Sequence, residues 1–163
     1  MTTTITGATG IDNIQAATGA VLQVVNFKKG TVVTGTNIIP LDNTVPLAGD
    51  GFEVMTLAIT PRSSSSTLKV DVVCLARSNN SSQVLTTALY RDGSAAIATT
   101  FQYENSANFI KNMVLTHFVS STSTNETTFK VRVGQNQSGT CTFNDNHYGG
   151  TLASTITVTE IAG

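Results

Sequence analysis

The sequence predicts an all-β fold, a sandwich or barrel of about eight to ten antiparallel strands. From Val21 onward, short runs rich in β-branched and aromatic residues alternate with turn clusters at the spacing typical of such folds. No segment has the period of a long amphipathic helix, and the helical crossovers that parallel strands require are missing from the pattern. The chain length of 163 residues fits one domain.

The strand predictions follow from where each run begins and ends. The serine tract at 63–66 predicts a turn, and Asp92-Gly93 predicts a tight hairpin. In 67–77 the apolar residues alternate with charged ones, which predicts one core-facing side, although Val73 and Leu75 share the charged side. The predicted strands are 21–27, 31–39, 54–60, 67–77, 84–91, 95–103, 109–119, 127–133 and 154–161.

Residues 1–20 differ from the rest of the chain in composition. They are small and polar, and Ile5, Ile11 and Ile14 are their only large apolar residues apart from Met1. We predict an N-terminal arm over 1–20 and one β domain over 21–163. Because the start lacks the basic and apolar regions of a secretory signal, we expect synthesis and assembly in a cytoplasm.

The chain is poor in charge. Charged residues make up 12% of it, about half the usual share, whereas Thr, Ser and Asn together account for about a third. Nine Lys and Arg and a net charge of −1 give no basic footprint for nucleic acid, and no apolar run is long enough for a membrane span.

Strands 113–119 and 155–161 are apolar or Thr-bearing on both faces, which favours burial of a second face against another subunit.

The residue types needed for catalysis are present without the patterns that would organise them. Ser, His and Asp occur, but no nucleophile elbow does, and His117 is expected to be a packed or interface residue. The segment 144–148 offers metal ligands around His147, yet a sharply turning loop is the favoured interpretation. Asp42, Asp50 and Glu53 lie too close in sequence to predict opposed carboxylates. We therefore expect no catalytic residues, metal or cofactor.

Cys74 and Cys141 are 67 residues apart and form no CxxC motif. A disulfide or part of a metal site is one interpretation. Two buried, reduced thiols acting as small apolar residues is the favoured one, because the sequence predicts a cytoplasmic setting.

The aromatic side chains are the remaining candidates for a functional surface. Phe101 and Tyr103 fall on one face of their predicted strand, and with Tyr148 they could either stack on a sugar or fill a subunit interface. We favour the interface, and add Phe118 to it, because the chain has no Trp and few aromatic residues.

An ordered series of strand-and-turn segments resembles a known domain. It includes Val21-Leu-Gln-Val-Val25, Ile39-Pro-Leu-Asp-Asn-Thr-Val-Pro46, Leu68-Lys-Val-Asp-Val72, Thr127-Thr-Phe-Lys-Val-Arg-Val-Gly134 and Ser154-Thr-Ile-Thr-Val-Thr-Glu-Ile161. These segments are similar to the jelly-roll domain of tailed-bacteriophage virion proteins, found on head fibres, tail fibres and capsid decorations. The resemblance implies an antiparallel jelly-roll sandwich that forms a homotrimer in the manner of tumour-necrosis-factor-like proteins.

The resemblance also implies a function. We expect a non-enzymatic structural protein of the virion, a trimeric decoration or cement protein on the capsid exterior that binds the major capsid protein or another virion protein. Ile5, Ile11 and Ile14 would dock the arm on the shell. The alternative is a fibre or adhesin tip that binds a host surface carbohydrate. A domain starting close to Met1, without shaft repeats, favours the decoration protein over a long fibre.

Overall fold

The computed structural model describes residues 16–163, which form two antiparallel sheets. Sheet A runs in the order β1-β10-β4-β7, and the short strands β9 and β2 extend it beside the end of β4. Sheet B runs in the order β3-β8-β5-β6. The strands are β1 (Val21–Lys29), β2 (Val33–Gly35), β3 (Phe52–Ile59), β4 (Thr67–Ser78), β5 (Gln83–Arg91), β6 (Ala96–Glu104), β7 (Lys111–Ser120), β8 (Thr127–Gln135), β9 (Cys141–Phe143) and β10 (Ser154–Ile161).

The strand order is that of a jelly roll. With the three-residue strands β2 and β9 set aside, the eight long strands form two four-stranded sheets in which consecutive strands mostly lie in opposite sheets. Only β5 and β6 are both consecutive and paired. The predicted all-β jelly-roll sandwich is confirmed, and its ten strands fall within the predicted number.

The core lies between the sheets and follows the period of two. Every second residue of β4 is buried, from Leu68 to Ser78, as the alternation predicts. Phe129, Val131 and Val133 of β8 face it from sheet B, and all three are fully buried. Cys74 and Cys141 lie in this core as free thiols, so their predicted burial is confirmed.

The prediction of a strand over 31–39 is wrong in extent. Only Val33–Gly35 is a strand, and the chain then leaves sheet A and crosses the outer face of sheet B as the segment 36–51, called the covering loop below. Ile39 is 1% exposed there and packs on Ala88 and Tyr90 of β5. The backbone of Ile39 donates to Gln135 O at 3.0 Å. As a result, β5 is buried on both faces by its own chain.

Two predicted turns are confirmed. Asp92 and Gly93 both have positive φ, 52° and 76°, as the tight turn between β5 and β6 requires. The serine tract forms the turn between β3 and β4, where Ser66 N donates to Ser63 O at 3.4 Å. By contrast, β9 was not predicted, because three residues are too short to show a period.

The first described residues are joined to the sandwich. Gly19 N donates to Ala162 O and Ala162 N donates to Ala20 O, both at 2.8 Å, so the last part of the predicted arm extends the pairing beside β10. Ile5, Ile11 and Ile14 lie outside the described residues.

Candidate interaction surfaces

The four aromatic residues predicted to form one interface lie on three different surfaces. Phe101 and Tyr103 project from the outer face of sheet B, because they pair with the outward-facing Thr86 and Val84. Phe118 lies on the outer face of sheet A. Tyr148 lies in the 3₁₀ turn His147–Gly150, beyond the ends of the strands. The structure therefore does not bring the four together within one protomer.

The outer face of sheet A presents exposed apolar side chains from two of its strands, β1 and β7. Phe118 is 55% exposed, and across β4 and β10 its row reaches Val24, which is 57% exposed. Val114, also 57% exposed, lies four residues before Phe118 on the same face of β7 and pairs with Val73. Four threonines share this face with the polar Asn26, Lys28 and Asn112, namely Thr116 of β7 and Thr155, Thr157 and Thr159 of β10.

The charges at the centre of this face neutralise each other. Lys69 Nζ lies 2.7 Å from Asp71 Oδ2, and Thr116 Oγ1 donates to Asp71 Oδ1 at 2.7 Å. Burial works to raise the pKa of Asp71, but the bonds from Lys69 and Thr116 and the nearby ammonium together hold it below its ordinary value. The centre of the face therefore carries no net charge, as suits the core of a subunit interface.

The outer face of sheet B is occupied differently. The covering loop lies over its centre and is held by Arg132, whose Nε donates to Asp50 O at 2.8 Å and whose Nη2 donates to Gly51 O at 2.7 Å. Gly134 allows this close approach, because a Cβ there would lie 2.8 Å from Ile39 Cγ1 and 2.9 Å from Asn37 O. Phe101, 63% exposed, projects from this face on the edge strand β6.

A cavity of about 470 Å³ lies at one end of the sandwich, between the β6–β7 and β9–β10 connections. Phe109 and Tyr148 lie at it, and neither Phe109 nor the cavity was singled out from the sequence. Tyr148 and the turning loop at 144–148 were singled out from the sequence, but nothing in the sequence indicates that the β6–β7 connection folds against them. The cavity is lined by Asn108, Phe109, Ile110, His147, Tyr148 and Leu152.

A network of polar side chains connects the two loops beside this cavity. Arg77 Nε donates to Asp145 Oδ2 at 2.6 Å, and Arg77 Nη1 donates to Asn108 Oδ1. His147 Nδ1 lies 3.1 Å from Asp145 Oδ1. Burial works to raise the pKa of Asp145, but the hydrogen bonds from Arg77, the Asn146 amide and His147, together with the Arg77 charge, hold it below its ordinary value. Asp145 is therefore an ionised link between the loops at neutral pH.

The favoured interpretation of 144–148 as a sharply turning loop agrees with the structure. Asn144 and Tyr148 have positive φ, 56° and 52°. The Asn144 amide is fully engaged in holding the loop, since Nδ2 donates to Lys29 O and Thr31 O while Oδ1 accepts from Ser154 Oγ. Among residues 16–163 no group of three His, Cys, Asp or Glu side chains is placed to hold a metal ion.

The carboxylates considered for catalysis are each bound to a separate local partner. Asp42 Oδ1 accepts from Thr44 N and Oγ1, and Asp50 Oδ2 accepts from Leu47 N. Glu53 Oε2 lies 3.0 Å from Lys130 Nζ.

His117 is half-buried and lies on the core-facing side of β7. No helix in the described part of the chain is long and apolar enough to cross a membrane.

Comparison with known proteins identifies the family. The model of the Pgp3 C-terminal domain family matches residues 24–162, nearly the whole β domain. The chain belongs to this family. No curated protein matches it at the level of sequence.

Solved structures with similar folds come from unrelated settings. A structure of the infectious bursal disease virus Gt strain is 14% identical with a TM-score of 0.44, and the match covers 96% of this chain but 42% of the viral one. The EclA C-terminal domain, described as a sugar-binding protein, is 17% identical with a TM-score of 0.38 and coverage of 85% and 84%. Latent PorU from Porphyromonas gingivalis is 12% identical with a TM-score of 0.44, covering 91% of this chain and 14% of PorU. These values are too low to indicate a shared function.

Proposed function

We propose that this family member is a structural protein of a bacteriophage virion that acts as a homotrimer, decorating the capsid exterior as a cement protein. The observation that carries the trimer is the set of exposed apolar side chains on the outer face of sheet A. Sheet A presents Phe118, Val114 and Val24 directly from its strands, and the Lys69–Asp71 ion pair lies between them, whereas the centre of sheet B is covered by the chain's own loop. A face of this kind is costly in a free monomer and is stabilised by burial against another copy.

The virion setting is supported by the sequence resemblance to phage jelly-roll domains. In this role the protein performs no chemical step. Its partners are two further copies of itself and the major capsid protein or another virion protein, to which the arm residues Ile5, Ile11 and Ile14 would add apolar contacts. Free energy of binding summed over the three arms would strengthen a shell assembled in the host cytoplasm.

A charge placed on sheet A tests the trimer. Phe118→Glu removes an apolar contact of about 1.5–3 kcal/mol from each protomer and puts a charged carboxylate in its place, opposite Lys69 on β4. Light scattering on a sizing column, at micromolar concentration, should give the wild type a molar mass three times the 17.1-kDa chain mass. The variant should have the mass of one chain. Val114→Lys carries the same test at a second position. The matched control is Phe101→Glu, which changes a similarly exposed phenylalanine on sheet B and should remain trimeric.

Circular dichroism accompanies each measurement, so that a dissociated but folded variant is distinguished from an unfolded one. A wild-type monomer would overturn the proposed trimer. A trimer that persists in Phe118→Glu but dissociates in Phe101→Glu would place the contact on sheet B instead.

A further inference from the structure

We propose that the cavity between the β6–β7 and β9–β10 connections binds a neutral sugar ring of a saccharide. Its volume of about 470 Å³ falls within the range of about 300–1,000 Å³ typical of small-molecule sites. Its lining combines aromatic and aliphatic walls with a few polar groups, the composition such sites share. The cavity is separate from sheet A's outer face, so this inference is independent of the trimer.

The two most exposed large hydrophobic side chains of the described residues meet at this cavity. Tyr148 is 83% exposed and Phe109 is 66% exposed. Neither belongs to the clusters that form the core. Two rings that contribute so little to the core, placed around one cavity, indicate a surface available for stacking.

The backbone holds Tyr148 in place at a cost. Tyr148 has φ 52° and ψ 39°, the left-handed conformation that a bulky residue rarely adopts, and Gly149 follows with φ 67°. Thr151 Oγ1 donates to Tyr148 O at 3.0 Å and closes the turn. Strain at a residue whose side chain packs on nothing in the core is the kind that accompanies a binding site.

The polar network described above orients two groups toward a ligand. Because Asn108 Oδ1 accepts from Arg77, the Asn108 Nδ2 hydrogens are directed away from that guanidinium and are free to donate to a ligand. His147 Nδ1 lies 3.1 Å from Asp145 Oδ1, which leaves Nε2 as the ring nitrogen available to a ligand. The Asn108 amide donor and the His147 ring nitrogen therefore lie beside the aromatic rings.

This combination favours a sugar over other ligand classes. Arg77 and Asp145 neutralise each other, so the site has no excess positive charge for a phosphate or carboxylate. A sugar ring offers hydroxyl groups that both donate and accept, and an apolar C–H face that packs on Phe109 or Tyr148. An apolar peptide would leave the Asn108 and His147 groups unpaired.

The test uses the full-length protein and an array of neutral di- to hexasaccharides built from glucose, galactose, mannose and N-acetylhexosamines. Binding found on the array is then titrated by calorimetry. Tyr148→Gly should lower the affinity at least tenfold while leaving the melting temperature unchanged or higher, because glycine relieves the strained backbone. A protein in which Tyr148 serves only to stabilise the loop would instead melt at a lower temperature.

Asn108→Asp is a near-isosteric second variant. It keeps an oxygen for Arg77 but replaces the Nδ2 donors with an acceptor, so we expect at least a tenfold loss of affinity with the fold retained. The matched control is Phe101→Ala, which removes an exposed ring elsewhere and should bind as the wild type does. A wild type that binds none of these saccharides, or variants that bind as tightly as it does, would overturn the proposal and leave the trimer to its own test.

Discussion

Glu160 on β10 is the buried carboxylate with the most hydrogen bonds, and Glu160→Gln is the sharpest test of what stabilises the sandwich. The side chain is fully buried. Its oxygens accept from Arg62 N at 2.8 and 3.0 Å, Ser63 N at 3.1 Å, Ser66 Oγ at 2.6 Å and Gln23 Nε2 at 2.6 Å. One carboxylate thus joins β10 to β1 and to the serine turn between β3 and β4.

The size of the effect follows from the donors. A hydrogen bond to a charged acceptor contributes about 1.5–3 kcal/mol, roughly twice a neutral one. Glutamine would keep one oxygen for the turn but would place its NH₂ group against Gln23 Nε2, donor facing donor. Gln23 cannot rotate its amide without losing its own bond to Thr60 O at 2.8 Å. The variant loses the hydrogen bond from Gln23, and the bonds from the Arg62 and Ser63 amides and the Ser66 hydroxyl weaken because their acceptor is no longer charged. We therefore expect the free energy of unfolding to fall by about 3 kcal/mol at pH 7.

The pH dependence gives an independent check. Burial works to raise the pKa of Glu160, but the hydrogen bonds from Ser66, Arg62, Gln23 and Ser63 outweigh it and hold the pKa below its ordinary value. Because the folded pKa is lower than the unfolded one, the carboxylate stabilises the fold fully above the unfolded pKa of about 4.3, and this stabilisation is lost as the pH falls toward the folded pKa.

The assay is denaturant unfolding at one fixed protein concentration, from pH 7 down to pH 3. The difference between wild type and Glu160→Gln should be largest at pH 7 and should shrink below about pH 4. The control is Glu126→Gln, the same change at an exposed position, which should differ from wild type by less than about 0.5 kcal/mol. A Glu160→Gln difference below 1 kcal/mol at pH 7, or one that grows on acidification, would refute the reasoning.

Two further predictions concern the covering loop and the core thiols. Gly134→Ala should lower the free energy of unfolding by about 2 kcal/mol or more in the same assay, because the new Cβ meets Ile39 of the covering loop. The control is Gly49→Ala in the covering loop, where a Cβ meets nothing within 4 Å, and equal stabilities of the two variants would contradict the close approach. Burial raises the pKa of Cys74 to about 12 and that of Cys141 further, so a thiol reagent at pH 8 should leave both thiols unmodified in the native protein. In denaturant the reagent should label two thiols per chain, and labelling of the native protein would contradict their burial.

Much of the fold was predictable because its signals are local. The alternation in β4 and β8 reports a strand with one face in a core, and both segments fold as predicted. Asp92-Gly93 requires only the two residues' own preference for positive φ. These features depend on neighbours within a few positions, so one sequence contains them completely.

The candidate surfaces were less predictable because each joins residues far apart in the chain. A period of two shows that Phe118 and Phe101 each point away from the core, but not that sheet B's outer face receives the covering loop while sheet A's does not. The cavity likewise depends on Arg77 bridging Asn108 and Asp145, three residues on separate elements.

The sequence alone therefore determined the class of fold, most of the strands, the burial of the two thiols and the shortage of charge. The tertiary structure decided which outer face is free, that the four predicted interface aromatic residues lie on three surfaces, and that the serine turn is held by Glu160. The physical reason is that backbone periodicity is set by neighbouring residues, whereas the cover over a sheet and the partners of a buried carboxylate are set by strand order. Strand order depends on the contacts of the whole chain at once.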